Sequence, residues 1–317
     1  MSVEPKSVCP LCNGVGDFSF ASTDLMFSGQ VVYTYHQCQG CGAVYHYPIP
    51  GPEVIANFYP DAYMIYDKNV LIKKPGKLQQ AVLRGKYGYK HIPAIFGLRI
   101  IAVVAGWVAY RGSIPYVPVG KALDVGCGNG RFLHKLKALG WNCEGVEFNA
   151  TAVTICRSHG LTVHHGDLGS AKFANACFDL ITARHVIEHL PDPVYFMQEA
   201  ARILKPGGRL LVMTPNSRAL GRSWFGKYWF DNDVPRHLIL FSPSNLDRLA
   251  TRHGFRRITL KLNTSPKIIL NSIDYKTHNT GRPSKQQKMR RLLAKVYVLL
   301  AILLRRGDEI AATYQKP

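Results

Sequence analysis

Acidic residues are scarce in this sequence. Its 317 residues contain 20 Asp and Glu against 40 Lys and Arg, which gives a formal net charge of +20. The stretch 68–121 has ten basic residues and no acid, residues 266–317 carry a net +8, and residues 1–67 are acidic at −5. An excess of this size indicates an anionic neighbour, such as nucleic acid, an anionic membrane surface or an acidic substrate.

A secretory signal is missing, and so is an uninterrupted apolar run of about 20 residues, the length that a membrane-spanning helix needs. We therefore expect a cytoplasmic protein with reduced cysteines. The apolar runs 92–110 and 292–304 contain Arg99 and Lys295 and have basic flanks. They are predicted to form helices that lie in a headgroup interface, with the protein peripheral at the inner face of the membrane. The alternatives are an ordinary packed helical subdomain and a dimer interface.

Four of the eight cysteines form two CxxC pairs near the N-terminus. Four thiolates at this spacing suit tetrahedral zinc, and a complete set of protein ligands is typical of a structural site. Free cysteines without a metal are the alternative. The intervening stretch 31–35 is apolar and aromatic, which predicts a strand and hence a zinc ribbon over residues 1–50. The predicted zinc ligands are Cys9, Cys12, Cys38 and Cys41.

A glycine-rich turn is the strongest motif. An apolar strand, 122–125, runs into Gly126, Gly128 and Gly130, and an amphipathic helix follows from Arg131. Glycines at this position let a nucleotide approach the backbone, and the GxGxG spacing differs from the GxGxxG of dinucleotide sites.

Further strands and helices alternate after this turn. A second strand ends at Glu147, a third at Asp167, and a fourth spans 178–184. A fifth strand, 209–214, follows a turn at 205–208. This alternation predicts an α/β fold with a doubly wound, mostly parallel, Rossmann-like sheet, in which ligands bind at the carboxyl ends of the strands.

The motifs resemble those of class I S-adenosylmethionine-dependent methyltransferases. The matching segments are 123–130 (LDVGCGNG), 186–193 (VIEHLPDP) and 205–212 (KPGGRLLV). The branch that they are most similar to contains ubiquinone-type and cell-envelope small-molecule enzymes, some with an N-terminal four-cysteine module.

This resemblance implies roles for individual residues. The three glycines would pass the methionine part of S-adenosylmethionine, and Asp124 would hold its amino end. Glu147 would hold the ribose hydroxyls, and Asp167 the adenine amine. The complete predicted cofactor-binding set is Asp124, Gly126, Cys127, Gly128, Gly130, Glu147, Phe148, Asp167, Leu168 and Arg184.

Methyl transfer to a hydroxyl or ammonium group needs a base, and imidazoles titrate near working pH. The candidates are His185 and His189, which follow the fourth strand, and His237, in an aromatic-rich loop. For each of the three, the alternative role is a structural one, in which the imidazole only forms hydrogen bonds within its loop.

The predicted organisation is a zinc ribbon (1–50), a basic, partly apolar helical connector (51–118) and a methyltransferase domain (119–317) with a helical insertion at 266–306. The predicted function is methyl transfer from S-adenosylmethionine to a small-molecule or lipid-linked acceptor, with O, N and C acceptors all open. An RNA methyltransferase and a non-catalytic cofactor-binding partner protein are the alternatives. RNA is disfavoured because the four-cysteine module is the acidic part of the chain and because the sequence shows no basic-aromatic platform for a single strand.

Overall fold

The computed structural model describes residues 7–59, 76–93, 116–118, 120–277 and 284–317. Most of the predicted connector, including its apolar run from residue 94 onward, lies outside the described residues. The chain divides into two compact units, one of residues 1–65 and 182–317 and the other of residues 66–181.

The bounds of the elements are as follows. The strands are β1 (Ser7–Val8), β2 (Val15–Ser22), β3 (Tyr33–Cys38), β4 (Val44–Tyr47), β5 (Lys121–Val125), β6 (Asn142–Glu147), β7 (Thr162–His165), β8 (Phe178–Arg184), β9 (Leu204–Pro215), β10 (Ile239–Leu240), β11 (Arg256–Asn263) and β12 (Glu309–Gln315). The α-helices of the described residues are α1 (Pro52–Ala56), α2 (Lys77–Tyr87), α3 (Arg131–Ala138), α4 (Ala150–Ser158), α5 (Pro193–Ile203), α6 (Leu220–Phe225), α7 (Pro243–Arg252), α8 (Pro266–Thr277) and α9 (Ser284–Leu303).

Seven strands form a mixed sheet in the order β11-β12-β9-β8-β5-β6-β7. Strands β5, β6 and β7 are parallel, whereas β12 is antiparallel to both β9 and β11. The side chains of β5 and β8 are almost all buried, as expected for strands covered on both faces. The order reverses direction after β5, the strand that leads into the glycine turn. The predicted Rossmann-like, doubly wound fold is confirmed.

Strand β9 is longer than predicted. It begins at Leu204 and includes the segment 205–208, which the sequence predicts as a turn. The reason is pairing beyond the end of β12: Gly207 N donates to the carbonyl of Lys316 (2.8 Å), and Lys316 N donates to Gly208 (2.9 Å).

The N-terminal residues form a second sheet, in the order β1-β2-β3-β4-β10. Its last strand comes from much later in the chain: Ile239 pairs with Tyr45, and Leu240 pairs with Val44. We call residues 7–50 the N-terminal module. Because its sheet is completed by β10, the module is built into the unit that contains residues 182–317.

Helices α8 and α9 lie between β11 and β12 in the chain, where the sequence predicts a helical insertion. Tyr297 anchors α9: its hydroxyl donates to Asp308 Oδ1 (2.5 Å) and accepts from Gly221 N (3.0 Å). Among the described helices, none has the length and apolarity required to cross a bilayer.

Candidate functional sites

The glycine turn after β5 has a conformation that needs glycine. Gly126, Gly128 and Gly130 have φ of 65°, 54° and 77°, in the left-handed region that L-residues rarely adopt. A Cβ on Gly130 would lie 2.3 Å from Leu161 Cδ1 and 2.9 Å from Cys156 Sγ. The turn therefore exposes backbone at the carboxyl end of β5 and packs tightly on its other side.

Glu147, at the end of β6, is tied to this turn. Its buried carboxylate accepts hydrogen bonds from Gly128 N (2.7 Å) and from Asn149 N (2.9 Å). Asn149 in turn caps α4, because its side chain accepts from Ala152 N (3.0 Å). A carboxylate held in this way presents its remaining acceptor positions in a fixed orientation, as recognition of a diol requires.

The other predicted cofactor residues differ in exposure. Asp124 is buried on β5, and Leu168 is buried after β7, whereas Phe148 is 73% exposed. Asp167 is exposed, and its Oδ1 accepts from Ser170 N (2.6 Å). Arg184 is the half-buried last residue of β8. Glu147 has a carboxylate that is hydrogen-bonded to the glycine turn through Gly128 N.

Cys127 and Cys156 pack beneath the turn. Cys156 Sγ donates to the carbonyl of Gly128 (3.2 Å), and both cysteines belong to an apolar cluster with Leu133 and Val163. A hydrogen bond with Cys156, and next burial, raise the pKa of Cys127, which keeps this thiol protonated at neutral pH. The side chain of Cys127 therefore packs in the apolar cluster. A contact between this residue and the cofactor, as predicted, would be made by its backbone.

A second cluster lies among residues of the other unit, where a 3₁₀ turn after β8 carries Glu188 and His189. One carboxylate oxygen of Glu188 and one ring nitrogen each of His189 and His237 lie within 4.8 Å of one another. Glu188 is fully buried, and neither of its carboxylate oxygens has a hydrogen-bond partner among the described residues. The cluster combines a carboxylate with two imidazoles, a donor set suited to proton transfer or to a divalent cation.

Hydrogen bonds assign the protons of both imidazoles. His189 Nδ1 donates to the carbonyl of Arg236 (3.0 Å) and lies 2.9 Å from Tyr59 Oη. His237 Nδ1 donates to the carbonyl of Asp231 (2.8 Å). Since a carbonyl oxygen only accepts, Nδ1 carries the proton in each neutral ring, and Nε2 keeps its lone pair.

Two of the predicted base candidates, His185 and His189, have pKa values shifted in opposite directions. Burial, and next the neighbouring His237, lower the pKa of His189 to about 4. Burial would also lower the pKa of His185, but the carboxylates of Glu188 and Glu309 raise it to about 10. His185 is therefore protonated at neutral pH, and His189 is a weak base.

His185 holds a constrained position at the end of β8. Its φ is 54°, unusual for a residue with a Cβ, and its N–H donates to the carbonyl of Met213 (2.8 Å). Its Nε2 lies 3.0 Å from Glu309 Oε2, and its Nδ1 lies 3.4 Å from Glu188 Oε1. Burial alone would raise the pKa of Glu188, but contact with His185 brings it to about 2.

The sequence analysis missed the residues that hold this cluster. Arg236 is buried and binds two carboxylates, those of Asp24 and Asp233. Asp24 and Arg236 are 212 residues apart, and no local spacing connects them. The only available signal was the adjacency of Arg236 to His237 in an aromatic-rich loop.

The predicted cysteine ligands come together in the N-terminal module. The Sγ atoms of all four lie within 4.8 Å of one another, with Cys9 and Cys41 3.6 Å apart and Cys12 and Cys38 3.4 Å apart. A tetrahedron of Zn–S bonds of about 2.3 Å has edges of about 3.8 Å, so this geometry fits zinc. N–H groups of Leu11 and Cys41 point at Cys9 Sγ and Cys38 Sγ (both 3.4 Å), as in metal-binding knuckles.

One face of α9 is apolar and exposed. Ala294, Tyr297 and Ala301 are buried against Leu220 and Ile269, and the opposite face projects outward. The exposed apolar side chains of α9 are Met289, Leu292, Leu293, Val296, Leu299, Ile302 and Leu303. Helix α9 contains no acidic residue.

Part of the chain matches the model of a known family. Residues 108–260 match the family model described as a methyltransferase domain. The match supports a methyltransferase, and the matched segment contains strands β5 to β9 of the Rossmann-like sheet and the glycine turn at the end of β5.

The curated relatives are named ubiquinone biosynthesis O-methyltransferases. The protein of Methylococcus capsulatus is 34% identical over 147 residues, which are 42% of this chain and 62% of that protein. The protein of Cupriavidus pinatubonensis is 25% identical over 154 residues, 44% of this chain and 62% of that protein. The chain thus spans about three fifths of the length of these relatives.

The chain is also similar to solved structures, at lower sequence identity. A possible histamine N-methyltransferase from Thermotoga maritima has a TM-score of 0.44 and 21% identity, covering 63% of this chain and 84% of that one. A methyltransferase from Archaeoglobus fulgidus has a TM-score of 0.46 and 18% identity, covering 74% and 97%.

Proposed function

We propose that this protein transfers a methyl group from S-adenosylmethionine to a hydroxyl group of a small or lipid-linked acceptor. The observation that carries the proposal is the glycine turn after β5 with Glu147 hydrogen-bonded to it, within a segment that matches a methyltransferase domain. The hydroxyl is favoured among possible acceptor groups because the curated relatives are named O-methyltransferases.

In this proposal the carboxyl ends of β5, β6 and β7 hold S-adenosylmethionine. The turn supplies backbone groups at close range, Asp124 faces the amino end, Glu147 accepts from the ribose hydroxyls, and Asp167 accepts from the adenine amine. Phe148, Leu168 and Arg184 complete the proposed cofactor-binding set. Bound S-adenosylmethionine supplies a methyl group activated by its sulfonium, and the chain contributes alignment of the acceptor and removal of its proton.

We assign proton removal to His237. A general base should be unprotonated at working pH and still basic enough to accept a proton. His185, with a pKa of about 10, is already protonated, and His189, with a pKa of about 4, is too weak. His237 has its Nδ1 proton fixed on the Asp231 carbonyl, so Nε2 is its accepting atom. His237 Nε2 would take the proton of the acceptor hydroxyl; S-adenosylmethionine, when bound, would lose its methyl group from sulfur to the acceptor oxygen and be left as a neutral thioether.

Zinc would have a structural role. Cys9, Cys12, Cys38 and Cys41 would occupy all four positions, leaving none for substrate. Contact with Cys9 lowers the pKa of the Cys41 thiol to about 5, so the cluster holds a thiolate at neutral pH, the form that binds metal. Elemental analysis should find one zinc per chain, lost in Cys38→Ser and kept in Cys177→Ser.

A peripheral position at an anionic membrane surface on the cytoplasmic side forms part of this proposal. The exposed apolar face of α9 is edged by Arg291 and Lys295, with Arg305 just beyond the helix. Apolar side chains flanked by cations are typical of helices that lie in a lipid headgroup region. Two copies of the chain joined through this face would bring these cations together, which disfavours self-association.

The test uses purified protein, S-adenosylmethionine labelled in its methyl group, and three acceptor pools: catechols with polyprenyl tails, a lipid extract and total RNA. We expect label in the lipid-soluble catechol. Label in RNA would favour the alternative of an RNA methyltransferase. Tight cofactor binding without transfer to any pool would favour a non-catalytic partner protein.

A further inference from the structure

The loop that carries His237 is clamped between two parts of the chain. The hydroxyl of Tyr35, a fully buried residue of the N-terminal module, donates to the carbonyl of His237 (2.9 Å). The next residue, Leu238, donates its N–H to the carbonyl of Glu188 (2.8 Å), and its own carbonyl accepts from His46 N (2.8 Å). The backbone around this imidazole is therefore fixed by the module on one side and by the 3₁₀ turn on the other.

Arg236 makes the main side-chain connection. Its Nη1 donates to Asp24 Oδ2 (2.7 Å) and its Nη2 to Asp24 Oδ1 (3.0 Å), so the two planar groups meet edge to edge. Its Nε and Nη2 also donate to Asp233 Oδ1 (2.9 and 2.7 Å). Only 1% of Arg236 is exposed, so water does not screen its ion pairs with the two carboxylates. These ion pairs are strong only while the guanidinium and the carboxylates keep the orientation seen here.

Asp24 is itself held in place. Its Oδ1 accepts from Met26 N (3.0 Å) and Phe27 N (3.1 Å), which closes a tight turn between β2 and β3. The Phe27 ring lies 5.3 Å from the guanidinium of Arg236, within cation–π range. The module thus presents a carboxylate already oriented toward Arg236.

We propose that Asp24 and Arg236 are positioning residues for His237, so that the N-terminal module forms part of the acceptor-activating site. The inference rests on the proposed function. Asp24 holds Arg236, Arg236 holds Asp233, and the N–H of His237 donates to the carbonyl of Asp233 (3.0 Å). Removing the Asp24 charge takes away one of the two carboxylates seen to bind this buried guanidinium. Leaving a buried charge less well paired is costly, and we expect the loop to shift in response.

The experiment compares the full-length wild type with D24N, D24E and D17N. Asp17 is exposed on the same module and accepts from Gln39 Nε2 (2.7 Å), which makes D17N the matched control. Three quantities are measured: kcat and KM for methyl transfer, S-adenosylmethionine affinity by calorimetry, and modification of His237 by diethyl pyrocarbonate, read by peptide mass mapping. The last readout needs no enzymatic activity.

We expect D24N to lower kcat by about tenfold or more while changing the S-adenosylmethionine affinity less than about twofold, because the affected loop is distinct from the glycine turn. His237, 7% exposed in the wild type, should react several times faster in D24N. D24E keeps the charge and should fall between wild type and D24N, and D17N should match the wild type.

The positioning role is wrong if D24N keeps wild-type kcat and wild-type labelling of His237. It is also wrong if D24N loses cofactor affinity as strongly as turnover, since the change would then be global. R236K is the second variant should D24N not fold: it keeps the charge but cannot bridge two carboxylates, and the same pattern is expected. If the wild type methylates no acceptor, the proposed function fails, and the labelling contrast still decides the positioning role.

Discussion

The carboxylate of Glu147 and the backbone N–H of Gly128 form a 2.7 Å hydrogen bond that joins the end of β6 to the middle of the glycine turn. In Glu147→Gln the side chain keeps its shape, but its amide group cannot accept from both Gly128 N and Asn149 N. We expect S-adenosylmethionine affinity to fall about tenfold or more, equivalent to about 1.4 kcal/mol. Calorimetric titration measures this change, and Glu53→Gln, at an exposed position, should bind like the wild type.

Gly130 and Gly160 allow backbone conformation and packing to be separated. Both have positive φ, 77° and 70°, but a Cβ on Gly160 would meet nothing within 4 Å, whereas one on Gly130 would overlap Leu161. Gly160→Ala should cost about 1–2 kcal/mol of unfolding free energy from the backbone alone. Gly130→Ala should cost about 1–3 kcal/mol more from overpacking. Urea unfolding of the two variants checks this, and equal costs would contradict the packing argument.

Substitution of the histidines should separate their roles in turnover. His237→Asn should lower kcat by about 100-fold or more, the contribution typical of a general base. His185→Asn should have a smaller effect, because the protonated His185 cannot accept the proton. Steady-state methyl transfer compares these variants with His253→Asn, whose Nδ1 also donates to a helical carbonyl (2.8 Å). The base assignment fails if His237→Asn retains more than half of the turnover.

The ion pairs of Glu144 predict a pH dependence of stability. Burial would raise the pKa of Glu144, but hydrogen bonds from Lys121 and His164 outweigh it and hold the pKa below its ordinary value. Because the folded carboxyl binds its proton at lower pH than the unfolded one, its stabilisation is present above the unfolded pKa of about 4.5 and is lost as the pH falls through the lowered folded value.

Glu144→Gln should therefore lower the melting temperature at pH 7, and the difference from the wild type should shrink as the pH falls below about 4.5. Scanning calorimetry across this range measures it, with Glu53→Gln as control. A difference that does not change with pH would assign the effect to packing.

The exposed face of α9 predicts salt-sensitive lipid binding. Leu292→Ser combined with Leu299→Ser removes two side chains that are 56% and 58% exposed, so the fold should be unaffected. We expect co-sedimentation with vesicles containing anionic phospholipid to fall several-fold, and wild-type binding to weaken with salt. The control is Val31→Ser with Val32→Ser, at 62% and 63% exposure on the N-terminal module. Equal loss in both double variants would contradict a specific role for α9.

The features that the sequence predicted are the ones encoded locally. The turn after β5 needs residues with positive φ, which glycine provides. Glu147 and Asp167 lie at or after the ends of strands whose carboxyl ends share one edge of the sheet. Each CxxC pair forms a metal-binding turn from residues that are close in sequence. Each depends on neighbours within a few residues, so spacing alone indicates it. The glycine turn and the cysteine cluster could therefore be placed before the structure was known.

Long-range pairings could not be predicted in this way. The Asp24–Arg236 ion pair and the β4–β10 pairing join residues about 200 apart, and neither leaves a periodic signal. Protonation also depends on tertiary surroundings: the sequence does not distinguish His185 from His189, whereas the carboxylates beside His185 raise its pKa and burial lowers that of His189. The exposed apolar face of α9 could not be predicted either, because an apolar stretch of sequence does not indicate which side of the helix packs against the rest of the protein.

The completion of the N-terminal sheet by β10 has a consequence for folding during synthesis. The ribosome releases the four cysteines and the first four strands long before β10. The hydroxyl of Tyr35 can bind the carbonyl of His237 only after a further 202 residues have been made. Until then β4 is an open edge, a surface to which other strands can add. Early metal binding to the four cysteines would order the first four strands while the rest of the chain is still being made.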